Sequence, residues 1–296
     1  MARTGSALWR VLVSVRDADR AEAAARALDP VVESVSAFAV EKDWRVEGLA
    51  RQKPDRAALE ANLALQWLER GEVPSVLIER LPPRDWLDEN QKSFSPVAAG
   101  RYFIHPTSWR GRAPHGTIAL RIDAATAFGT GEHGSTRGAL LALDRLARRR
   151  RFRRVLDMGC GTGILAMAAA KTWRRPVALA DIDPEAVRVA ARNASVNSLQ
   201  PFLRPLRAAS YRARALKARA PYDLVVANIL ARPLMLMARD LATALAPGGV
   251  VVLGGFLPWQ ESAVLAAHRL RRFVLARRIL VAGWSTLILS RSKLSL

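Results

Sequence analysis

The chain has 296 residues, of which half are hydrophobic and 24% are charged, so it is long enough for one large globular domain or two smaller ones. No uncharged apolar run is long enough to span a bilayer, and the apolar part of the N-terminal segment is too short for a signal peptide. Cys160 is the only cysteine, which excludes an internal disulfide and favours a cytoplasmic location without membrane contact.

The chain is strongly basic, with 46 Lys and Arg residues against 26 Asp and Glu residues and a formal net charge of +20. Such a charge is typical of proteins that contact nucleic acid or the ribosome, and a contact with ribosomal RNA is one interpretation. Arginine far outnumbers lysine and alanine is abundant, which a GC-rich genome would also produce. The densest basic run, RRRRFRR at 148–154, fits either an RNA contact or a solvated helix end.

The first eighty residues predict a small α+β domain. Short apolar runs predict strands, and two intervening segments carry apolar residues at helical spacing. The order βαββαβ is the ferredoxin-like arrangement, which we assign to residues 1–81. Pro82 and Pro83 interrupt this pattern, so residues 82–99 are predicted to be a linker. The predicted strands are 8–15, 31–40, a segment about Trp44 and 75–81, and the predicted helices are 17–28 and 55–71.

From residue 100 to residue 296 the pattern changes to that of a second, larger domain. Strands alternate with helical stretches, which predicts an α/β, Rossmann-like domain with a mostly parallel sheet and right-handed crossovers. The last two apolar runs, 273–280 and 284–291, are too close in sequence for an intervening helix. They are therefore predicted to pair antiparallel at the sheet edge. The other predicted strands are 117–123, 155–158, 177–182, 223–227 and 250–253.

One motif in this domain predicts a nucleoside cofactor. In VLDMGCGTGILA, an apolar strand leads directly into a turn with Gly159, Gly161 and Gly163 and then a helix, which lets a ligand approach bare main chain. Asp181 ends the next strand, 22 positions after Gly159, where a carboxylate accepts hydrogen bonds from ribose hydroxyls. Asp157 would repel the pyrophosphate of a dinucleotide but suits a sulfonium and an ammonium group. S-adenosylmethionine is therefore favoured over NAD.

Two further polar residues follow predicted strands. Asn228, in VVANILARPL, falls where ligands bind an open α/β sheet, and its amide oxygen could accept a hydrogen bond from an amine nucleophile. Its alternative role is to cap the following helix. For Asp183, followed by Pro184, the helix N-cap is the favoured interpretation. The sequence NILA differs from the NPPY type associated with methylation of adenine or glutamine amides.

These motifs together resemble the PrmA family, the bacterial methyltransferases of ribosomal protein eleven of the large subunit. The resemblance rests on DMGCGTGILA, ADIDPEA, VVANILA and an AFGTGxH segment at 127–133, and it covers most of the chain. It implies a class I S-adenosylmethionine-dependent methyltransferase that modifies α-amino and lysine amino groups, with Asn228 in the catalytic site. It also implies that the small domain presents the ribosomal protein. The cofactor-binding residues expected from it are Thr136, Gly159, Asp181 and Asn228, and the glycine turn adds Gly161.

The AFGTGEHGST segment is predicted to fold over the methionine end of the cofactor. Gly129 and Gly131 would let it bend, and a helix beginning at Ser135 or Thr136 would direct its N-terminus at the methionine carboxylate. The family usually reads GTGTHPTT here, so Glu132 and Gly134 are departures that bear on substrate choice. Glu132 and His133 are the candidate general bases, and an ordering hydrogen bond is the favoured role of His133.

The sequence also predicts which residues have no chemical role. Cys160 has no adjacent base and is expected to be a small residue beside the ligand. The four histidines lack metal-ligand spacing, so no metal is expected. Alternatives remain open: the same fold acting on RNA or a small molecule, and a non-catalytic ribosome-binding module. We expect a monomer whose substrate is the ribosomal protein, free or on the ribosome.

Overall fold

The computed structural model describes residues 8–40, 42–81, 95–122 and 134–292. The chain divides into two compact units, Met1–Asp85 and Trp86–Leu296. The expectations for Gly129, Gly131, Glu132 and His133 lie outside the described residues and stay predictions. Within the described ranges, no helix is both long enough and apolar enough to cross a membrane.

The first unit has the predicted ferredoxin-like order βαββαβ. Its four strands are all antiparallel in the order β2-β3-β1-β4, and the two helices pack against each other. Each helix begins where an aspartate caps it: Asp17 accepts a hydrogen bond from the N–H of Arg20, and Asp55 accepts one from Ala57. The elements are β1 (Leu8–Val15), α1 (Ala18–Leu28), β2 (Ser34–Val40), β3 (Asp43–Ala50), α2 (Arg56–Gln66) and β4 (Leu77–Leu81).

Helix α2 ends at Gln66, five residues before the predicted end at Gly71. Trp67 takes the C-cap position, where its φ of −104° and ψ of 5° leave the helical region, and its side chain is 3% exposed. Gly71 adopts a φ of +89° further along the chain. The spacing of apolar residues therefore identified the helix but did not locate its C-terminal end.

The second unit opens with a small three-stranded sheet that sequence reasoning largely missed. The segment 97–99, assigned to the linker from the sequence, forms a strand that pairs antiparallel with the next strand. Only the third strand of this sheet was predicted, as part of 117–123. The sheet has the order β5-β6-β7, with β5 (Val97–Ala99), β6 (Tyr102–Pro106) and β7 (Ile118–Ile122).

The main sheet of the second unit has seven strands in the order β10-β9-β8-β11-β12-β14-β13. The first five strands run parallel to one another, and β14 runs antiparallel to both β12 and β13. This confirms the predicted α/β class with an antiparallel edge. The strands are β8 (Val155–Met158), β9 (Val177–Asp181), β10 (Leu203–Arg207), β11 (Tyr222–Asn228), β12 (Leu245–Phe256), β13 (Phe273–Val281) and β14 (Trp284–Arg291).

Helices cover both faces of this sheet, and a separate apolar core lies on each face. One core contains the apolar side of α3 and most of α4, and the other contains residues of α7, α8 and α9. The central strands β8 and β11 are therefore buried on both faces. The helices of this unit are α3 (Gly134–Ala147), α4 (Ile164–Trp173), α5 (Pro184–Val196), α6 (Arg214–Lys217), α7 (Ala231–Leu236), α8 (Ala238–Ala244) and α9 (Glu261–Arg269).

Candidate active site

The candidate site lies at the carboxyl ends of three adjacent strands. Because β9, β8 and β11 are neighbours in the parallel sheet, their carboxyl ends meet at one edge. Asp157 is the third residue of β8, Asp181 ends β9 and Asn228 ends β11. The topology thus places all three polar residues where open α/β sheets bind their ligands.

The glycine turn after β8 requires residues without a β-carbon. Gly159, Gly161 and Gly163 have φ values of +75°, +51° and +79°, in the left-handed region that favours glycine. A methyl group built onto Gly159 would lie 2.1 Å from Cγ2 of Ile229, so this glycine also makes room for the residue after Asn228. The main chain of the turn therefore approaches the end of β11 closely.

Asp157 is a buried carboxylate, and one of its two oxygens accepts a hydrogen bond. It is 1% exposed, and its Oδ2 accepts a hydrogen bond from the N–H of Ala166 in the first turn of α4 at 2.9 Å. Oδ1 is also buried and has no hydrogen-bond partner among the described residues. Burial, opposed by the bond from Ala166 and aided by the charge of Asp181, raises the pKa of Asp157 to about 7. A cationic group beside Oδ1 would favour the ionised form.

Asp181 connects the end of β9 to the glycine turn. Its Oδ2 accepts a hydrogen bond from the N–H of Gly161 at 3.0 Å, and its Oδ1 accepts one from Asp183 at 3.0 Å. Each oxygen keeps a second lone pair for a ligand hydroxyl. Asp183 itself accepts a hydrogen bond from the N–H of Glu185 at 2.9 Å and is the N-cap of α5, with Pro184 at the first helical position. The N-cap prediction for Asp183 is confirmed.

Asn228 and Thr136 come together from distant parts of the sequence. Thr136 lies in the first turn of α3, which begins at Gly134, and it is 1% exposed. Nδ2 of Asn228 lies 3.5 Å from Oγ1 of Thr136, at the long limit of a hydrogen bond. Oδ1 of Asn228 is buried and has no partner among the described residues. It is therefore available to accept a hydrogen bond from a ligand.

The alternative role of Asn228 as a helix cap is wrong. The N-cap of α7 is Leu230, and no side chain caps that helix. Two residues separate the asparagine from the helix, because Ile229 donates its backbone N–H to the carbonyl of Gly254 and continues the extended chain past the end of β11.

Residues from the antiparallel edge also reach this site, and sequence reasoning missed them. A methyl group on Gly254 of β12 would lie 2.6 Å from Oδ1 of Asn228 and 3.4 Å from Oγ1 of Thr286. Thr286 of β14 is fully buried, and its Oγ1 has no partner among the described residues. A methyl group on Gly138 of α3 would lie 2.4 Å from the same oxygen. The paired glycines in the sequence LGGF were the available signal for this close packing.

Two negative expectations can be compared with the structure. Cys160 is buried, and burial raises the pKa of its thiol well above the usual value, with the nearby Asp157 and Asp181 adding to the effect. A raised pKa leaves the thiol less ionised near neutral pH, and the absence of a chemical role for Cys160 stays a prediction. Among the residues that the structure describes, no group of three His, Cys, Asp or Glu side chains is placed to hold a metal ion.

The sequence matches the family described as "Ribosomal protein L11 methyltransferase (PrmA)" over residues 11–292. The chain belongs to this family. A ribosomal protein L11 methyltransferase from Caulobacter sp. (strain K31) is 42% identical over 278 residues, which cover 92% of this chain and 94% of that protein. One from Rhizobium meliloti (strain 1021) is 45% identical over 213 residues, or 72% and 73% of the two chains.

A solved structure is also similar to this chain. The ribosomal protein L11 methylase from Lactobacillus delbrueckii subsp. bulgaricus aligns with a TM-score of 0.60 at 28% identity, covering 67% of this chain and 100% of that chain. Membership in the PrmA family identifies the protein as an S-adenosylmethionine-dependent methyltransferase with a class I fold.

The residues present fit S-adenosylmethionine. Two buried side-chain oxygens without partners among the described residues, Oδ1 of Asp157 and Oδ1 of Asn228, accept hydrogen bonds and suit a ligand with ammonium and sulfonium groups. Asp181 has lone pairs for ribose hydroxyls, and the turn at Gly159 and Gly161 provides a surface of bare main chain. The site therefore offers negative and acceptor groups to a cationic nucleoside.

Proposed function

We propose that the protein transfers methyl groups from S-adenosylmethionine to α-amino and lysine side-chain amines of ribosomal protein L11. The names of the family and of its relatives support this substrate, since each is called a ribosomal protein L11 methyltransferase or methylase. The observation that carries the proposal is the buried, unpartnered Oδ1 of Asn228 beside the glycine turn, among the described residues. An acceptor in that position suits an amine nucleophile.

Five residues are assigned to the cofactor. Asp181 would accept hydrogen bonds from the ribose hydroxyls, while Gly159 and Gly161 would lie against the ligand through their main chain. Thr136, at the N-terminal turn of α3, would contact the methionine portion, where the helix dipole favours a carboxylate. Asn228 would contact the same portion of the cofactor from the end of β11.

The catalytic requirement is a neutral amine aligned with the methyl group. When bound, S-adenosylmethionine supplies an electrophilic methyl group on a sulfonium. At pH 7 deprotonation costs about 4–5 kcal/mol for a lysine and about 1 kcal/mol for an α-amine, from their ordinary pKa values. Oδ1 of Asn228 would accept a hydrogen bond from the amine N–H and so direct its lone pair, as part of catalysis by positioning and desolvation.

The partners follow from this substrate. The ferredoxin-like unit would recognise L11, and the methyltransferase unit would modify it, either free or on the ribosome.

A ribosomal substrate implies a cytoplasmic enzyme, and we propose that it acts as a monomer. Light scattering after gel filtration tests the monomer: a mass near 32.4 kDa is expected, and twice that mass would contradict it.

The test of the function is direct methylation. The protein is incubated with S-adenosylmethionine labelled in the methyl group and with undermethylated ribosomes and free ribosomal proteins from its own cell, and labelled species are identified by mass spectrometry. Label on the amino groups of L11 is expected. Label on RNA alone would show an RNA methyltransferase, and no label in any fraction would favour a non-catalytic binding module. An Asn228→Ala preparation serves as the control for contaminating activities.

A further inference from the structure

A groove of 670 Å³ lies between the last turns of α3 and the edge strand β13, away from the carboxyl ends that form the active site. The apolar side chains of Leu141 and Ile279 line part of it. Its other lining side chains are almost all basic: Arg145, Arg148, Arg149, Arg277 and Arg278, with Asp144 as the one carboxylate.

The carboxylates near this groove neutralise only two of its arginines. Asp144 is buried, and its carboxylate is shared between Arg148, at 3.2 Å, and Arg101 of the small sheet. Arg278 forms an ion pair with the buried Glu261 of α9. Among the described residues, the remaining three arginines of the groove form no ion pair: Arg145, Arg149 and Arg277.

Arg145 is close enough to both Arg149 and Arg277 for their positive charges to act on it. Partial desolvation lowers the pKa of Arg145, and the positive charges of Arg277 and Arg149 lower it further. Arg277 comes from the edge strand, Arg145 from the last turn of α3 and Arg149 from the turn that follows the helix, so the sheet and the end of the helix hold like charges together. An anion in the groove would remove this repulsion.

We propose that this arginine groove, formed by Arg145, Arg149 and Arg277, binds the phosphate backbone of RNA. Arg145 lies in the last turn of α3, and Arg149 lies in the turn just after it, where its backbone N–H donates to the carbonyl of Leu146, so the two side chains can reach neighbouring phosphates of a strand. The planar guanidinium groups suit bidentate phosphate contacts. Leu141 and Ile279 offer apolar contact to a sugar or base, which free inorganic phosphate does not need.

The choice of RNA over another polyanion rests on the proposed function, in which the substrate is a ribosomal protein surrounded by RNA. The anion site itself rests on the side chains. The basic run at 148–154 contributes only its first two residues to the groove.

The experiment measures the affinity of the full-length protein for a fluorescein-labelled oligouridine of about 20 nucleotides by anisotropy between about 50 and 200 mM KCl. The groove variant is Arg149→Gln with Arg277→Gln, two exposed positions. The control is Arg204→Gln with Arg207→Gln, two exposed arginines on β10 at the opposite edge of the same sheet, with the same loss of charge.

The groove variant is expected to raise Kd about tenfold at low salt and to reduce the slope of log Kd against log salt by about 1.4, as for two lost phosphate contacts on a single strand. The control is expected to stay within about twofold of wild type. Equal losses from both variants would overturn the groove. Equal wild-type affinity for a polyglutamate peptide or for phosphatidylserine vesicles would overturn RNA as the partner.

Methyl transfer to free L11 is measured on the same preparations and separates the two proposals. The groove variant is expected to methylate free L11 at the wild-type rate, because the groove is not part of the active site. Wild-type protein that methylates L11 but binds RNA no better than the groove variant contradicts the groove alone. Wild-type protein that binds RNA through these arginines but methylates no L11 contradicts the proposed function alone.

Discussion

The side-chain amide of Asn228 lies 3.5 Å from the hydroxyl of Thr136, although 92 positions separate them in the sequence. One residue ends a central strand and the other lies in the first turn of a helix, so the contact joins the sheet to the N-terminus of α3. The amide uses its donor side for this contact, and its oxygen remains available for a ligand.

Replacing Asn228 with alanine should therefore reduce turnover more than cofactor affinity. We expect kcat to fall by at least about 100-fold, as for the loss of one positioned polar group in other active sites. The Kd for S-adenosylhomocysteine, measured by calorimetry, should rise less than about tenfold, since other contacts hold the cofactor. An unchanged kcat with L11 would remove Asn228 from the mechanism. Thr136→Val is the companion variant, and its main effect is expected on cofactor Kd.

Cofactor affinity should depend on pH through Asp157. Its pKa of about 7 lies above the ordinary value of 3.8, so the neutral form predominates in the free protein below pH 7. The folded protein holds this proton more tightly than the unfolded chain, so the group alone makes the fold more stable at low pH. That contribution is lost as the pH rises from about 4 through 7. Binding a cation requires the ionised form, so the Kd for S-adenosylmethionine should fall as the pH rises from 6 to 8. Asp157→Asn should flatten this profile; an equally steep profile in that variant would assign it to another group.

Two glycines with the same φ allow the effect of backbone strain to be measured separately from the effect of steric crowding. Gly159 and Gly116 both have a φ of +75°, but only a methyl group on Gly159 would meet another atom, Cγ2 of Ile229 at 2.1 Å. Gly116→Ala should cost about 1 kcal/mol of stability from backbone strain alone. Gly159→Ala carries the same strain and must also displace Ile229, so we expect it to abolish measurable cofactor binding. Comparable calorimetric Kd values for both variants would show that the close approach is unimportant.

The buried His268 should make the protein less stable in acid. It is 0% exposed, its Nδ1 donates to the carbonyl of Val264 at 2.7 Å, and Nε2 has no partner among the described residues. Burial lowers its pKa from 6.5. The unfolded chain therefore binds a proton that the folded protein does not, and stability is lost as the pH falls below 6.5.

This loss amounts to at most about 1.4 kcal/mol per pH unit for one proton. Urea unfolding of His268→Leu should show a shallower decline between pH 6.5 and 5 than wild type. His115→Leu, which changes an exposed histidine, is the control. The same decline in both variants would trace the acid sensitivity to other groups.

Much of the sheet could be predicted because its central strands are continuous apolar runs. The segment LRPLR at 203–207 was missed, since it has two leucines among two arginines and a proline. It nevertheless forms β10 beside β9, at an edge of the sheet where a missing N–H donor is tolerated. The strands 97–99 and 102–106 were also missed, because three and five residues are too few for a clear alternation of apolar and polar side chains.

The site was predictable only in part from the residues themselves. The glycine turn and Asp181 follow a strand–turn–helix pattern with recognisable spacing, Asn228 follows from its place at a strand end, and family resemblance added Thr136. The paired glycines at 254–255 indicate close packing but not what packs there, and Thr286 carries no signal, because its role depends on how β14 packs behind Asn228. Sequence patterns describe single elements, whereas this part of the site is made by contacts among three strands and a helix.

The position of β14 decides at what stage of chain synthesis the packing behind Asn228 can be completed. This strand inserts between β12 and β13, and its Thr286 packs behind Asn228 against Gly254. A nascent chain synthesised only as far as Gly283 has the glycine turn, Asp181 and Asn228. It lacks β14, the antiparallel partner of β12, and with it Thr286, which forms the wall behind the asparagine. The wall behind the asparagine therefore forms only after β14 has been synthesised and has paired with β12, although the glycine turn, Asp181 and Asn228 are made earlier.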